Sequence, residues 1–282
     1  MILELAVGDA YGAGFEYTDH DFVTNHNTLS GYVPHPIFGI GHGVYTDDAQ
    51  MTLAIAELLI SNDPWTPLNL ANKFVDVFKR DPREGYASKF YEFLQEVKSS
   101  EEFLRKINPN SEKSGGAMRA SPLGFIPDMG ELINYATIQA QITHNTSIGI
   151  DSSIAAALMV HYFIYNLGSK KNLGEFIESY VPGEWSKPWS QRVEKEGFMH
   201  VRAAITAIKE EDSLSSILKR SINFEGDTDT VATIALAAAS VSSEIIQELP
   251  PVLVENLENG EYGRAYLINL DKKLRKRFSQ NI

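Results

Sequence analysis

The sequence predicts an all-α protein, and three observations carry that prediction. Apolar residues recur at three- and four-residue steps over long stretches, alternating apolar–polar runs long enough for strands are scarce, and alanine is concentrated at 154–157 and 232–239. Small residues let helices approach closely, so these two segments are expected at the centre of a helical bundle.

In chain order, Met51, Ile55, Leu58 and Leu59 mark a first apolar stripe, and Leu70, Phe74, Val77 and Phe78 mark a second. Helices are expected over 88–97 and 130–142. Ile150, Ile154, Leu158 and Tyr162 then repeat at four-residue steps. Further helices are expected over 191–210, 213–222, 229–246 and 260–269. Segments 17–45 and 107–130 are rich in Gly, Pro, Asn, Asp and His with weak periodicity. Loops of that length inside a folded domain commonly serve function, so both are expected to border a site. The stretch 182–189 reads as a surface connection, with Trp185 and Trp189 in surface packing.

A chain of 282 residues is near the ~250–300 at which one core usually stops growing, so one domain over 1–282, a monomer, is expected. With 37 acidic against 25 basic residues the net charge is −12, a field that repels nucleic-acid phosphates and anionic membranes. Neither is expected as a partner. The absence of cysteine excludes disulfides, thiolate nucleophiles and cysteine-containing zinc or iron–sulfur sites. The apolar runs Ile154 to Leu167 and Val231 to Val241 fall short of the ~20 residues of a membrane span, and the N-terminal stretch lacks a basic leader; a cytoplasmic location is expected. Gly39-Ile40-Gly41-His42-Gly43 lacks the dinucleotide spacing, and no phosphate-loop or HExxH motif occurs. The basic run from Lys272 to Arg277 reads as a solvated helix end.

Two acidic clusters stand at predicted helix starts: Tyr45-Thr46-Asp47-Asp48 and Gly226-Asp227-Thr228-Asp229-Thr230. Capping explains either one alone. Two helix starts facing each other would gather Asp47, Asp48, Asp227 and Asp229 with the hydroxyls of Thr46 and Thr230, an all-oxygen set suited to Mg²⁺ or Mn²⁺ and unsuited to zinc. Four carboxylates brought together repel one another unless cations intervene, and a two-metal site resolves that repulsion.

Five blocks in order carry a resemblance to the ADP-ribosylglycohydrolases: GDAYGAGFE at 8–16, YTDDAQM at 45–51, SGGAMRASPLG at 114–124, TH at 143–144 followed by Ala155-Ala156-Ala157, and GDTDTVATI at 226–234. The resemblance implies a compact single-domain orthogonal helical bundle with a central binuclear metal cleft. It implies metal ligands at Thr46, Asp47, Asp48, Asp227, Asp229 and Thr230, with two Mg²⁺ or Mn²⁺ ions and no NAD, haem or zinc. Glu16 falls on the family's mobile catalytic or gating glutamate.

The same resemblance places Ser114, Gly115, Gly116, Ala117 and Met118 at the phosphates, His144 near the ribose and phosphates, and Tyr86 at the substrate mouth. Glycines there also let backbone N–H groups approach a diphosphate. Two departures stand out: Lys113-Ser114 replaces a usual Gly-Asn, and Glu225 replaces a glycine, adding a carboxylate beside the metal cluster. The implied activity is hydrolysis of the bond between ADP-ribose and a protein side chain, with arginine as the expected acceptor and serine or another O-linkage as the alternative. The competing reading is a non-catalytic binder of ADP-ribose, or one that occludes an ADP-ribosyltransferase.

Overall fold

The computed structural model describes residues 1–35, 39–61 and 63–279, so residues 36–38 of the predicted 17–45 loop lie outside the described residues. In chain order the helices are α1 (Ile2–Ala13), α2 (His20–His26), α3 (Asp47–Ile60), α4 (Pro67–Arg80), α5 (Ser88–Glu96), α6 (Ser100–Lys106), α7 (Gly115–Met118), α8 (Met129–Gln141), α9 (Ser147–Ile164), α10 (Leu173–Glu178), α11 (Gly197–Glu210), α12 (Leu214–Ile222), α13 (Thr228–Ala239), α14 (Pro251–Asn256) and α15 (Arg264–Phe278). Among the described residues there is no strand, only isolated bridges. The all-α class is the one the sequence predicted.

Local chemistry sets many of these starts. The side chains of Asp19, Thr66, Ser99, Asp128, Thr146 and Ser213 each accept a first-turn backbone N–H, giving partners to donors that the helix itself leaves unpaired. α4 adds Pro67 in its first turn and buries Leu70, Phe74, Val77 and Phe78 on one face, the stripe read from the sequence.

The centre is built differently. Every residue of α13 is buried, and α1, α9, α11 and α12 pack around it. α1 was not among the predicted helices, because it is apolar on nearly every side and so shows no stripe. Its glycines have a packing role: a Cβ at Gly8 would lie 2.8 Å from the Ala232 carbonyl oxygen, and one at Gly12 would lie 2.4 Å from the Asp229 Cα. Glycine costs a helix ~1 kcal/mol relative to alanine, and here it admits α13 at a distance no other residue allows. That contact brings the first block of the resemblance against the last.

Several predicted boundaries are corrected. Residues 191–196 are not helical; Val193 instead accepts from the Asp227 N–H (3.0 Å) and donates to the Glu225 carbonyl (3.1 Å), bracing the loop before α13. α13 ends at Ala239 rather than 246, and α15 starts at Arg264 and runs to Phe278. The 107–130 segment contains α7 and a 3-10 turn at Ser121–Phe125.

Trp185 and Trp189 are buried, at 3% and 8% exposure, not in surface packing. Trp185 Nε1 donates to the carbonyls of Val181 and Pro182, both at 3.2 Å. α9, with 18 residues, is long and apolar enough to cross a membrane, and 78% of it is buried inside the protein. The shorter run counted from Ile154 missed the turns contributed from Ser147 onward.

Candidate active site

The starts of α3 and α13 meet the end of α1 at a cavity of about 610 Å³. Glu16, Asp47, Asp48, Asp227, Asp229 and Thr230 line it. The side-chain oxygens of Glu16, Asp227 and Asp229 lie within 4.8 Å of one another. Asp48 Oδ1 is buried and has no hydrogen-bond partner among the described residues. A buried carboxylate oxygen without a donor carries a large desolvation cost, and a cation is the partner that would remove it. The all-oxygen donor set therefore fits a hard divalent ion.

Thr46 caps this arrangement from behind and does not line the cavity. Its hydroxyl donates to Asp9 Oδ1 at 2.7 Å, and its backbone N–H lies 3.0 Å from both Asp9 oxygens. Asp9 Oδ2 also accepts from the Ala49 N–H at 2.8 Å. Asp9, fully buried on α1, thus supplies the capping that α3 lacks from its own Thr46. The sequence reading missed it, although it sits in the first matching block.

Burial and mutual repulsion set the protonation of the cluster. Burial first, then the neighbouring carboxylates, hold Asp47, Asp48 and Asp229 well above the usual carboxylate range. Burial pushes Asp9 up to about 6 despite its hydrogen bonds to Thr46 and Ala49. Glu16 is raised by burial, an effect eased by its contact with His35 (Nε2 to Oε2, 2.8 Å) and reinforced by Asp227. Asp227 goes the other way: burial would raise it, but His200, with Nε2 2.9 Å from its Oδ2, and hydrogen bonds from Asp229 and Thr230 hold it below the ordinary value. These carboxylates carry fewer negative charges than their number while no cation balances them.

The second wall comes from the 110–119 segment and the turn before α9. Ser114, Gly115, Met118 and His144 line the cavity; Gly116 and Ala117 do not, and the Gly116 carbonyl accepts from Gln139 Nε2 (2.9 Å) deeper in the core. Burial, then the charges of Arg119 and Lys113, depress His144 to about 3, so it is neutral. Tyr86 also lines the cavity and donates to Gln50 Oε1 at 2.7 Å. Beside it, Gly85 has φ +105°, and a Cβ there would sit 2.5 Å from Asp47 Oδ1. Phe90, Phe93 and Ile107 complete an apolar rim.

Glu225 departs from its expected place. Its carboxylate turns outward to His20 Nδ1 (2.7 Å) and Arg192 Nη1 (3.6 Å) and does not line the cavity. It adds no charge to the cluster.

Known proteins resemble this chain in sequence and in fold. The family model described as ADP-ribosylglycohydrolase matches residues 1–281. The ADP-ribosylhydrolase ARH3 of Homo sapiens is 25% identical over 254 residues, covering 69% of this chain and 69% of that protein. The ADP-ribosylarginine hydrolase Tri1 of Pseudomonas putida is 22% identical over 278 residues, covering 91% of this chain and 72% of that protein. A solved structure titled ADP-ribosylglycohydrolase-related protein complex superposes with a TM-score of 0.75 at 18% identity, over 100% of this chain and 96% of that one. With the family model spanning all but the last residue of an all-α chain whose two acidic helix starts share one cavity, the protein belongs to the ADP-ribosylglycohydrolase family and is a glycoside hydrolase acting on ADP-ribose linkages.

Proposed function

We propose that this enzyme releases ADP-ribose from modified arginine side chains of proteins, using two Mg²⁺ or Mn²⁺ ions held by Thr46, Asp47, Asp48, Asp227, Asp229 and Thr230. The observation that carries the metal reading is the pairing of an orphaned Asp48 oxygen with three further carboxylates whose oxygens converge within 4.8 Å. Arginine rests on a relative that matches 91% of this chain, a protein named for ADP-ribosylarginine.

Bound divalent ions supply positive charge for the vicinal hydroxyls of the distal ribose and lower the pKa of a coordinated water. The chain's own residues do the rest. Asp47, Asp48, Asp227 and Asp229 hold the charge balance of the cleft. Thr46 gives its hydroxyl proton to Asp9, leaving its oxygen lone pairs for an electrophilic partner. Glu16 lines the cavity, and burial raises its pKa, the direction that favours a carboxyl as proton donor. Ser114 and Gly115 offer backbone to the diphosphate, and Tyr86, Met51 and Met118 exclude water around the ribose.

Mass spectrometry of ADP-ribosyl-arginine and ADP-ribosyl-serine peptides, incubated with enzyme and Mg²⁺, tests the reading. Loss of ADP-ribose from the arginine peptide is expected. Release only from serine would reassign the acceptor, and release from neither, with tight ADP-ribose binding, would leave the occluding binder.

A further inference from the structure

His144 occupies the end of a buried hydrogen-bond chain whose direction is fixed at its other end. Arg119, only 1% exposed, donates through Nε to Gln139 Oε1 (2.7 Å) and through Nη2 to the Gln139 carbonyl (3.0 Å) and to Thr143 Oγ1 (2.8 Å). A guanidinium has donors and no acceptor, so Thr143 Oγ1 must accept from it. The same hydroxyl lies 2.7 Å from His144 Nδ1. Thr143 is buried at 5% exposure, and among the described residues Nδ1 is the acceptor its proton reaches. An Nδ1–H would strand that hydroxyl proton without a partner, at the cost of an unmade buried hydrogen bond. Nδ1 therefore accepts, and the single proton of a neutral imidazole sits on Nε2.

The Nε2 edge faces the site. His144 is 7% exposed and lines the cavity, and among the described residues no hydrogen bond engages Nε2. Gly115 keeps that edge open: a Cβ there would stand 2.8 Å from His144 Cε1 and 3.1 Å from Nε2. The carboxylate–histidine pairs Glu16–His35 and Asp227–His200 show the contrast, for among the described residues no carboxylate pairs with His144. A ring placed this way can neither ligate a metal through Nε2 nor take a proton from water.

We propose that Arg119 and Thr143 are positioning residues that lock His144 in the Nε2–H tautomer, so that it presents a neutral donor to a diphosphate oxygen of the substrate. The acceptor rests on the ADP-ribose reading above; the tautomer does not. Ser114 and Gly115, on the same wall, place backbone polar groups beside this donor.

Nitrogen-15 NMR of histidine-labelled protein, with ADP-ribose calorimetry in Mg²⁺, tests both parts. Wild type should show a protonated Nε2 and an unprotonated Nδ1 for His144, unchanged across the neutral range. Thr143→Val removes the hydroxyl while keeping the shape. It should let the ring populate both tautomers and weaken ADP-ribose binding in proportion to the Nε2–H population lost, about twofold where the two tautomers are equal. Thr143→Ser should restore both, and Mg²⁺ affinity measured without ligand should stay unchanged throughout. An Nδ1–H or imidazolium signature in the wild type overturns the relay, a result available even if Thr143→Val does not fold. Equal ADP-ribose affinity in a Thr143→Val protein whose tautomer has shifted overturns the donor role. A wild type with the Nε2–H signature that binds no ADP-ribose would sink the proposed function while sustaining the relay.

Discussion

Asp9 holds Thr46 twice, through the backbone N–H at 3.0 Å and through the hydroxyl at 2.7 Å. One buried carboxylate on α1 thereby fixes the first turn of α3, from which Asp47 and Asp48 reach the cavity. Asp9→Asn leaves one acceptor oxygen for at least three donors and turns an NH₂ group against them. We expect a loss of about 1–3 kcal/mol, read as a lower denaturation midpoint, with weaker Mg²⁺ binding by calorimetry. A variant as stable as wild type would show that α3 keeps its start without this carboxylate.

The pH dependence of the metal-free protein follows from the raised carboxylates. A carboxyl whose folded pKa exceeds its unfolded value of about 4 binds protons on folding, so stability is highest at low pH and falls as pH rises through the folded pKa. For Asp9 the fall spans about 4 to about 6; for Asp47, Asp48 and Asp229, which are raised further, it continues above that. Asp227, which is depressed, opposes this only at the acid end. Melting temperature in EDTA should therefore drop as pH rises from about 4 to about 6, and saturating Mg²⁺ should flatten the slope. A melting temperature that climbs over that range in EDTA would contradict the charge assignment.

Asp229→Asn should act in opposite directions on the two forms. It removes a repelling charge while keeping an oxygen for the Thr230 N–H, which Asp229 Oδ1 accepts at 3.0 Å. The metal-free protein should melt no lower than wild type. The stabilisation by Mg²⁺, about 2.7 kcal/mol at a hundredfold excess over Kd for a site that binds only the folded state, should disappear. Retained Mg²⁺ stabilisation in this variant would count against the two-metal cleft.

Glu16→Gln probes the one proposed catalytic group outside the ligand set. Hydrolysis should fall by roughly 10²–10⁴, the usual contribution of a positioned proton-transfer group, while ADP-ribose affinity stays within a few-fold. Undiminished turnover would remove Glu16 from the chemistry.

Gly12→Ala tests the contact between α1 and α13. Its new Cβ would fall 2.4 Å from the Asp229 Cα and 2.7 Å from the Asp229 backbone nitrogen, where backbone cannot give way cheaply. Destabilisation of at least 1–3 kcal/mol, on the order of a typical overpacked core, is expected, and Mg²⁺ affinity should drop with it because the displaced atoms carry a ligand. A neutral effect on both would show that the two helices separate easily.

What the sequence made legible was periodic or local. The stripe of α4, the alanine-rich α13 and the two acidic helix starts could all be read from spacing and capping chemistry. What escaped depends on partners remote in sequence. α1 hides its helicity because nearly every side is buried, and Asp9 looks like any carboxylate until Thr46 is placed over it. Residues 191–196 carry helix-like spacing, yet Val193 pairs with the loop before α13, a constraint that propensity does not encode. Trp185 and Trp189 lie in a polar, proline-bearing stretch, so their burial follows from the helices they meet, not from their neighbours in the chain. Thr46 was placed at the right helix start; its hydroxyl's partner was not foreseen.

The hydrogen bond from the Thr228 hydroxyl to the Gly12 carbonyl spans 216 residues, and its consequence is kinetic. α1 is made more than two hundred residues before α13, the helix against which it packs most extensively. Closing so long a loop is entropically costly and slow to occur by chance. Until α13 follows, the glycine face of α1 lacks the helix it is shaped to receive. A chain stalled before α13 has half of the proposed ligand set and lacks the wall that Asp227, Asp229 and Thr230 give the cavity.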